Sequence, residues 1–516
     1  MTGVPKPGAE TERRSSALKG LAVNPASPLD VLLRLLEPEY SDAWSALAMD
    51  RREYPEPLLD AIVRHEHPRL PGGLARNPHV DGELRGRVVD NPHWLVRAKL
   101  ASGPHRSWEA VARPLPDWVV ERMITTYDGQ ELSELVASRQ IPWRLYYAYA
   151  THPIASVRRW ATNVWEDLPE ERRAALLADP HPEVRKSAAA SAARYDEEET
   201  ARQLPTAFGH HLTHLLVNCR LPRAEIESRL AADSEDDGEG HAWAFAHNYS
   251  TPPDLVARIA EHPDPKVRLE VARRDELDPA VLWRLARDAD PGVRTAVSVR
   301  PELTEEERAT IDYAVATDED FEPAEHHRRL PRDPAVLAGY AASAHPLLRR
   351  RAAADPDLPD ELAAVLVEDD DLGVRVLLAQ NHPAAPPALL LRCYLEYTRT
   401  YRQRLAELPG FPVEGLAERF ADAEDPLLRW LATLDPGLSP DLADRLTRDQ
   451  DSAIRAAAAR HPRLPADRLR ALLDDDELAS SAAANPALPI EAMRSLLETA
   501  APSAVPESNE VEHGRP

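Results

Sequence analysis

The phrase D-P-x-V-R occurs at Asp264–Arg268 and returns at Asp290–Arg294, 26 residues on. One copy is an ordinary helix start, whereas copies at a fixed interval demand a repeating unit. With the V-R step as a ruler, equivalents fall at Val96-Arg97, Val157-Arg158, Val184-Arg185, Val267-Arg268, Val293-Arg294, Leu348-Arg349, Val374-Arg375, Leu428-Arg429 and Ile454-Arg455, with a degenerate copy near Leu478. Direct neighbours are 24 to 27 residues apart, and two gaps of 55 and 54 are close to two periods. A second phrase follows each step by about ten residues, as in ADPDLPDEL (354–362), TLDPGLSPDL (433–442), RHPRLPADRL (460–469) and ANPALPIEAM (484–493); VNPASPLDVLLRLL (23–36) carries it near the front. Each unit reads as short helix, Pro-rich turn, second helix, acidic turn.

These choices have local causes. Asp264 and Asp290 are placed to cap the first helix, with Pro265 and Pro291 at its first position, where the missing N–H costs nothing. Val267, Val271 and Ala272 share one helical face, and after Asp278-Pro279 a second stripe of Val281, Leu282 and Leu285 begins. Helices of about nine residues do not stand alone. Stacking on like neighbours buries the stripes, which predicts an all-α fold: an α-solenoid of two-helix repeats. A row of arginines at one period would repel itself unless carboxylates from adjacent turns, such as Asp288 or Asp369, sit between them. The row reads as a structural ladder, with a ligand-binding row as the alternative.

DPxVR followed by N/DPxLPxxLLxxL at this spacing resembles the leucine-rich repeat variant family, relatives of HEAT-type repeats common in actinobacteria. The likeness is good over 420–500 and 255–300, fair over 340–380 and loose before 190. It implies a right-handed superhelix of α and short, sometimes 3₁₀, helices. Some relatives carry a cysteine-ligated iron–sulfur module at the front; this chain has no cysteine before Cys219, so no cofactor is carried over. The expected layout is a disordered segment (1–18), irregular Trp-rich repeats (19–190), middle repeats with acidic insertions (191–340), regular repeats (341–499) and a disordered tail (500–516), with 19–499 one continuous array. Acidic insertions are read at 196–199, 233–240 and 302–325, and one long helix at 386–408.

With 43% hydrophobic residues but only five Phe, the core must be mainly Ala, Leu and Val. A net charge of −25 opposes nucleic-acid binding along the whole chain, because phosphate affinity comes largely from Lys and Arg. Of the 62 basic residues 57 are arginine, a bias that cautions against assigning chemistry to any one of them. Cys219 and Cys393 form no framework or cluster, no apolar run is long enough to span a bilayer, and the first residues lack an apolar signal core. A cytoplasmic protein without a membrane partner is expected.

Three stretches are candidate sites. DSEDDG (233–238) spaces Asp233, Glu235, Asp237 and Gly238 as in an EF-hand, but Ala244 stands where the bidentate Glu belongs. His210 and His214 have the i, i+4 spacing of two metal ligands, without a third. The segment 141–165 holds Arg144, Arg158 and Arg159, no acid, and six aromatics: Trp143, Tyr146, Tyr147, Tyr149, Trp160 and Trp165. Such interleaving either fills space between irregular helices or forms a recognition surface. On the second reading Trp143, Arg144, Tyr146, Tyr147, Tyr149, Arg158, Arg159 and Trp160 are the contact residues. No phosphate loop, G-x-S-x-G elbow, HExxH or cysteine nucleophile pattern occurs. The sequence therefore points to a non-catalytic scaffold for a protein or peptide, a basic one given the charge. The alternative is a nucleic-acid enzyme of the HEAT-like alkylpurine glycosylase type, whose groove only 141–165 would supply.

Overall fold

The computed structural model describes residues 9–104, 115–127, 130–138, 140–194, 196–205, 209–232, 241–316, 333–399 and 402–498. Within them the chain is helical throughout, with no strand, and the helices pair into the short modules of an α-solenoid. Among these residues two compact units emerge: those within 9–142 and 412–498 form the first, those within 143–316 and 333–411 the second.

The second unit shows how a module is made. Asp264 accepts from Lys266 N at 2.9 Å and starts helix Pro265–Ala272. Asp278 does the same through Ala280 N for Pro279–Leu285. Asp290, through Gly292 N and Val293 N, starts Pro291–Ser298. Val267, Val271, Ala272, Val281, Leu282 and Leu285 all face a core that runs unbroken from Leu212 to Ile311. Each buried Val or Leu contributes about 2 kcal/mol through removal from water. Val293, Val374 and Ile454 are likewise buried at the same module position.

The recurring arginine is tied down in the same way at four module interfaces. Arg268 Nε and Nη2 donate to Asp288 Oδ2 and Oδ1 at 2.7 and 2.8 Å, while Nη1 donates to the His262 and Pro263 carbonyls at 2.8 Å each. In the second unit Arg158–Asp179 and Arg349–Asp369 repeat this, and in the first unit Arg429–Asp449 does. Asp288 also accepts from Asp290 N at 2.8 Å, so one carboxylate clamps its own turn and the preceding module. The guanidinium fork suits this task because it offers two parallel donors to the carboxylate and a third edge to the carbonyls. The carboxylates foreseen between the arginines, Asp288 and Asp369, are among those used.

A second ladder lies at the ends of several leading helices, where the last carbonyls have no N–H of their own. In the first unit Asn485 Nδ2 donates to Ala459 O and His461 O at 2.9 and 2.7 Å. Asn24 Nδ2 makes the same pair of bonds to Ala483 O and Asn485 O, at 2.8 and 2.7 Å. Arg51 then reaches Ala22 O and Asn24 O, and Asn77 reaches Ala48 O and Arg51 O. These donors are buried. The run therefore passes from the last described module to the first without a peptide bond between them.

That junction is closely packed. Helix Ala9–Val23 crosses Ala479–Ala483 with Ala17, Ala479 and Ala483 buried between them. A Cβ on Gly20 would lie 1.9 Å from Ser480 O, so only glycine lets the backbones approach this far. Around the rim Tyr40 Oη donates to Leu497 O at 3.1 Å, Arg494 pairs with Asp30 at 3.0 Å, and Arg13 pairs with Asp476 at 3.3 Å.

Three expectations are corrected. Residues 9–18 belong to an ordered helix with Leu18 buried, because its partner lies some 460 positions away, where no local pattern could announce it. The long helix expected at 386–408 is two, Pro387–Glu396 and Arg402–Glu407. Arg402 folds back, donating to Tyr394 O at 2.7 Å with its guanidinium 4.6 Å above the Tyr394 ring. The acids at 196–199 are a helix start: Asp196 caps Glu197–Gln203 by accepting from Glu199 N.

Candidate functional site

From Trp143 on, the segment 141–165 opens the second unit as helices Trp143–Tyr149 and Ala155–Trp160 followed by a 3₁₀ stretch, Ala161–Asp167. Tyr146, Tyr149, Trp160 and Trp165 are buried. Tyr149 meets Tyr146, His152 and Trp160 edge-on, with ring centroids 6.0, 5.8 and 6.2 Å apart. These rings fill the module where its neighbours use Val and Leu, so they offer no face to a partner. Arg158 is consumed by Asp179, which the guanidinium holds below the usual carboxylate range. Of the eight contact residues expected from sequence, Arg144 and Arg159 are exposed and Tyr147 is half-buried. For Trp143 only the backbone is described.

His210 and His214 lie on the solvent side of helix His210–Asn218, where His214 Nδ1 contacts the Asn218 amide at 3.3 Å. Among the described residues no group of three His, Cys, Asp or Glu side chains is placed to hold a metal ion. The EF-hand-like stretch 233–238 and the termini 1–8 and 499–516 lie outside the described residues, as does 317–325 of the third acidic stretch. Cys219 and Cys393 are buried, and burial pushes the Cys393 thiol up to about 12, far from thiolate chemistry at neutral pH.

One pairing looks catalytic at first sight. In the second unit Ser298 Oγ lies 2.8 Å from His345 Nε2. His345 Nδ1, however, accepts from Leu347 N at 3.1 Å to cap helix Pro346–Ala353, so the proton sits on Nε2 and is donated to the hydroxyl. A general base for serine needs the opposite polarity. Tyr313 stacks on the imidazole at 3.9 Å, and burial drives the histidine down to about 4, keeping it neutral. The pair bridges two modules.

What remains on the surface is charge. In the first unit the turns between modules carry Asp422, Glu424 and Asp425, then Asp449 and Asp451, then Asp474, Asp475, Asp476 and Glu477. Asp449 ties into the arginine ladder, and Asp425 and Asp451 cap helices, while Glu424 and Asp474 keep exposed carboxylates. Residues 368–371 of the second unit follow suit: Asp369 binds Arg349, Asp371 binds Arg350, and Asp370 is exposed. Sequence reading missed an opposite concentration in the first unit. Residues 64–99 hold seven Lys and Arg against four Asp and Glu, with four histidines, a local reversal that a charge sum over the chain conceals.

No protein-family model and no curated protein matches this chain. Among solved structures, the crystal structure of an engineered protein is similar at 16% identity, covering 93% of this chain and 99% of that one, with a TM-score of 0.14. Among the described residues no helix is long and apolar enough to cross a membrane.

Proposed function

We propose that the chain is a non-catalytic α-solenoid scaffold of the leucine-rich-repeat-variant kind, acting in the cytoplasm and binding a protein or peptide segment rich in basic residues. The support is the way charge is sorted. The recurring arginines are spent between modules, so their positive charge is cancelled inside, while outer carboxylates such as Glu424, Asp474 and Asp370 stay in water. Turns between modules thus leave negative charge outward, which suits a partner with cations along an extended segment. The alternative, a nucleic-acid groove built on 141–165, loses its stacking platform because four of the six rings are buried.

The test is a fluorescence titration of an Arg/Lys-rich peptide into the full chain at about 20 and about 300 mM salt, spanning the range over which screening removes exposed attractions. Saturable binding at low salt that weakens at high salt, and weakens again in Glu424→Gln/Asp474→Asn, is expected. Absence of saturation at low salt, or equal binding of an acidic peptide of the same length, would end this reading.

A further inference from the structure

We infer that the cationic corner of the first unit, formed by Arg64, His67, Arg69, His93 and Lys99, is a binding site for an oxyanion, the phosphate or carboxylate group of a small molecule. A cavity of about 630 Å³ adjoins this corner, with Arg64, His65 and His93 in its wall beside Glu66, Asp90 and an Arg87 held by Glu56 and Asp60, while His67, Arg69 and Lys99 stand outside that wall. That is room for a small organic anion.

Several donors of this corner have no acceptor among the described residues. His67 Nδ1 accepts from Arg69 N at 3.2 Å and His93 Nδ1 from Leu95 N at 3.2 Å, so each ring carries its proton on Nε2, where no acceptor is found among the described residues. His65 is the contrast: its Nε2 is satisfied by Leu36 O at 3.2 Å. Among the described residues Arg64, Arg69 and Lys99 make no ion pair, in a chain where carboxylates outnumber cations. Arg69 instead lies 5.7 Å over the Trp44 ring.

Lys99 is held in place by shape. Its stem lies across Gly72, whose Cβ, if present, would come within 2.9 Å of Cδ and 3.2 Å of Nζ. A glycine at 72 therefore lets a half-buried ammonium lie against the helix Arg69–Leu74. Burial and the charges of Arg76 and Arg69 depress its basicity, and burial with Arg69, His65, His93 and Lys99 depresses that of His67. Like charges brought together out of water repel, and a bound anion removes that cost. Of the acids bordering the cavity, Asp90 is committed to Arg122 at 2.8 Å and Glu66 is exposed to solvent.

The experiment measures thermal unfolding of the full chain in sodium phosphate, sodium malonate and sodium chloride at matched ionic strength, for wild type, Lys99→Met and Arg69→Gln. Kosmotropic anions stabilise any fold, so the readout is the difference between wild type and variant. Wild type is expected to gain several degrees more than either variant, with circular dichroism confirming that both fold. Arg69 is exposed and tolerates the change even if Lys99→Met does not. A gain confined to phosphate assigns a phosphoryl ligand, and an equal gain with malonate assigns a carboxylate. Equal gains in wild type and Arg69→Gln, or no gain beyond chloride, overturn the proposal.

Discussion

A single arginine shows how much depends on the fork of its guanidinium. Arg268 and Asp288 have side chains 14% and 8% exposed, so removing the cation leaves a carboxylate and two carbonyls nearly dry. Arg268→Ala is expected to cost about 3 kcal/mol, the scale for breaking a buried pair. Arg268→Lys should cost roughly half of that, since an ammonium cannot serve carboxylate and carbonyls together; urea midpoints of the three proteins give both values. pH acts on the same side chains. Asp179, Asp288 and Asp449 are held below the ordinary carboxylate range, first of all by hydrogen bonds from Arg158, Arg268 and Arg429. Their stabilisation is present above the unfolded pKa of about 4 and disappears as pH falls through the lower folded values. His345 also has a depressed value, about 4 against an ordinary 6.5. The unfolded chain therefore takes up its proton first, and stability drops as pH falls from about 6.5 to about 4. A urea midpoint followed from pH 7 to pH 3 should decline in these two windows, and His345→Gln should lessen the decline in the upper one and leave the lower one unchanged. A midpoint constant between pH 6.5 and 4.5 would contradict the burial of that ring.

At the scale of helices, the seam where Ala9–Val23 meets Ala479–Ala483 is the most exacting contact described. Gly20→Leu would push a side chain into the Ser480 carbonyl and should cost about 3 kcal/mol or more, the upper range for overpacking. Asn24→Ala, which strands two buried carbonyls, should cost about 1–3 kcal/mol. Hydrogen exchange is the discriminating measurement: either change should speed exchange in both 9–23 and 479–483, and acceleration in only one of them would refute the seam. The contrast with the V-R step explains what sequence reveals. Val267, Val293 and Ile454 answer the same geometric need in their own modules, so the need writes itself as a period. Asn24 answers the same need as Asn485, but across the chain ends, and Arg51 or His461 can substitute because any side chain with a reachable N–H will do. The aromatic content of 141–165 was plain, while its burial was not, because which rings point inward depends on neighbours that periodicity does not specify. The cationic corner escaped notice because its residues come from two turns and the helices after them, each unremarkable alone.

For the molecule as a whole, the stacking energy that holds an array together resides in interfaces between neighbours, and the first unit contains one such interface that no backbone crosses. A permutant that joins residue 498 to residue 9 by a flexible Gly/Ser linker, and opens the chain between Asp275 and Glu276 on an exposed turn, should keep the helix content of the parent. Its urea midpoint should move by no more than the loop-closure entropy of the exchanged connections, about 1 kcal/mol. Loss of cooperative unfolding in that permutant would show that the contacts of Asn24, Gly20 and Tyr40 are too weak to order neighbours on their own. If it folds, evolution and the engineer share the same freedom: a module can be added, lost or moved past the chain ends without redesigning what lies on either side.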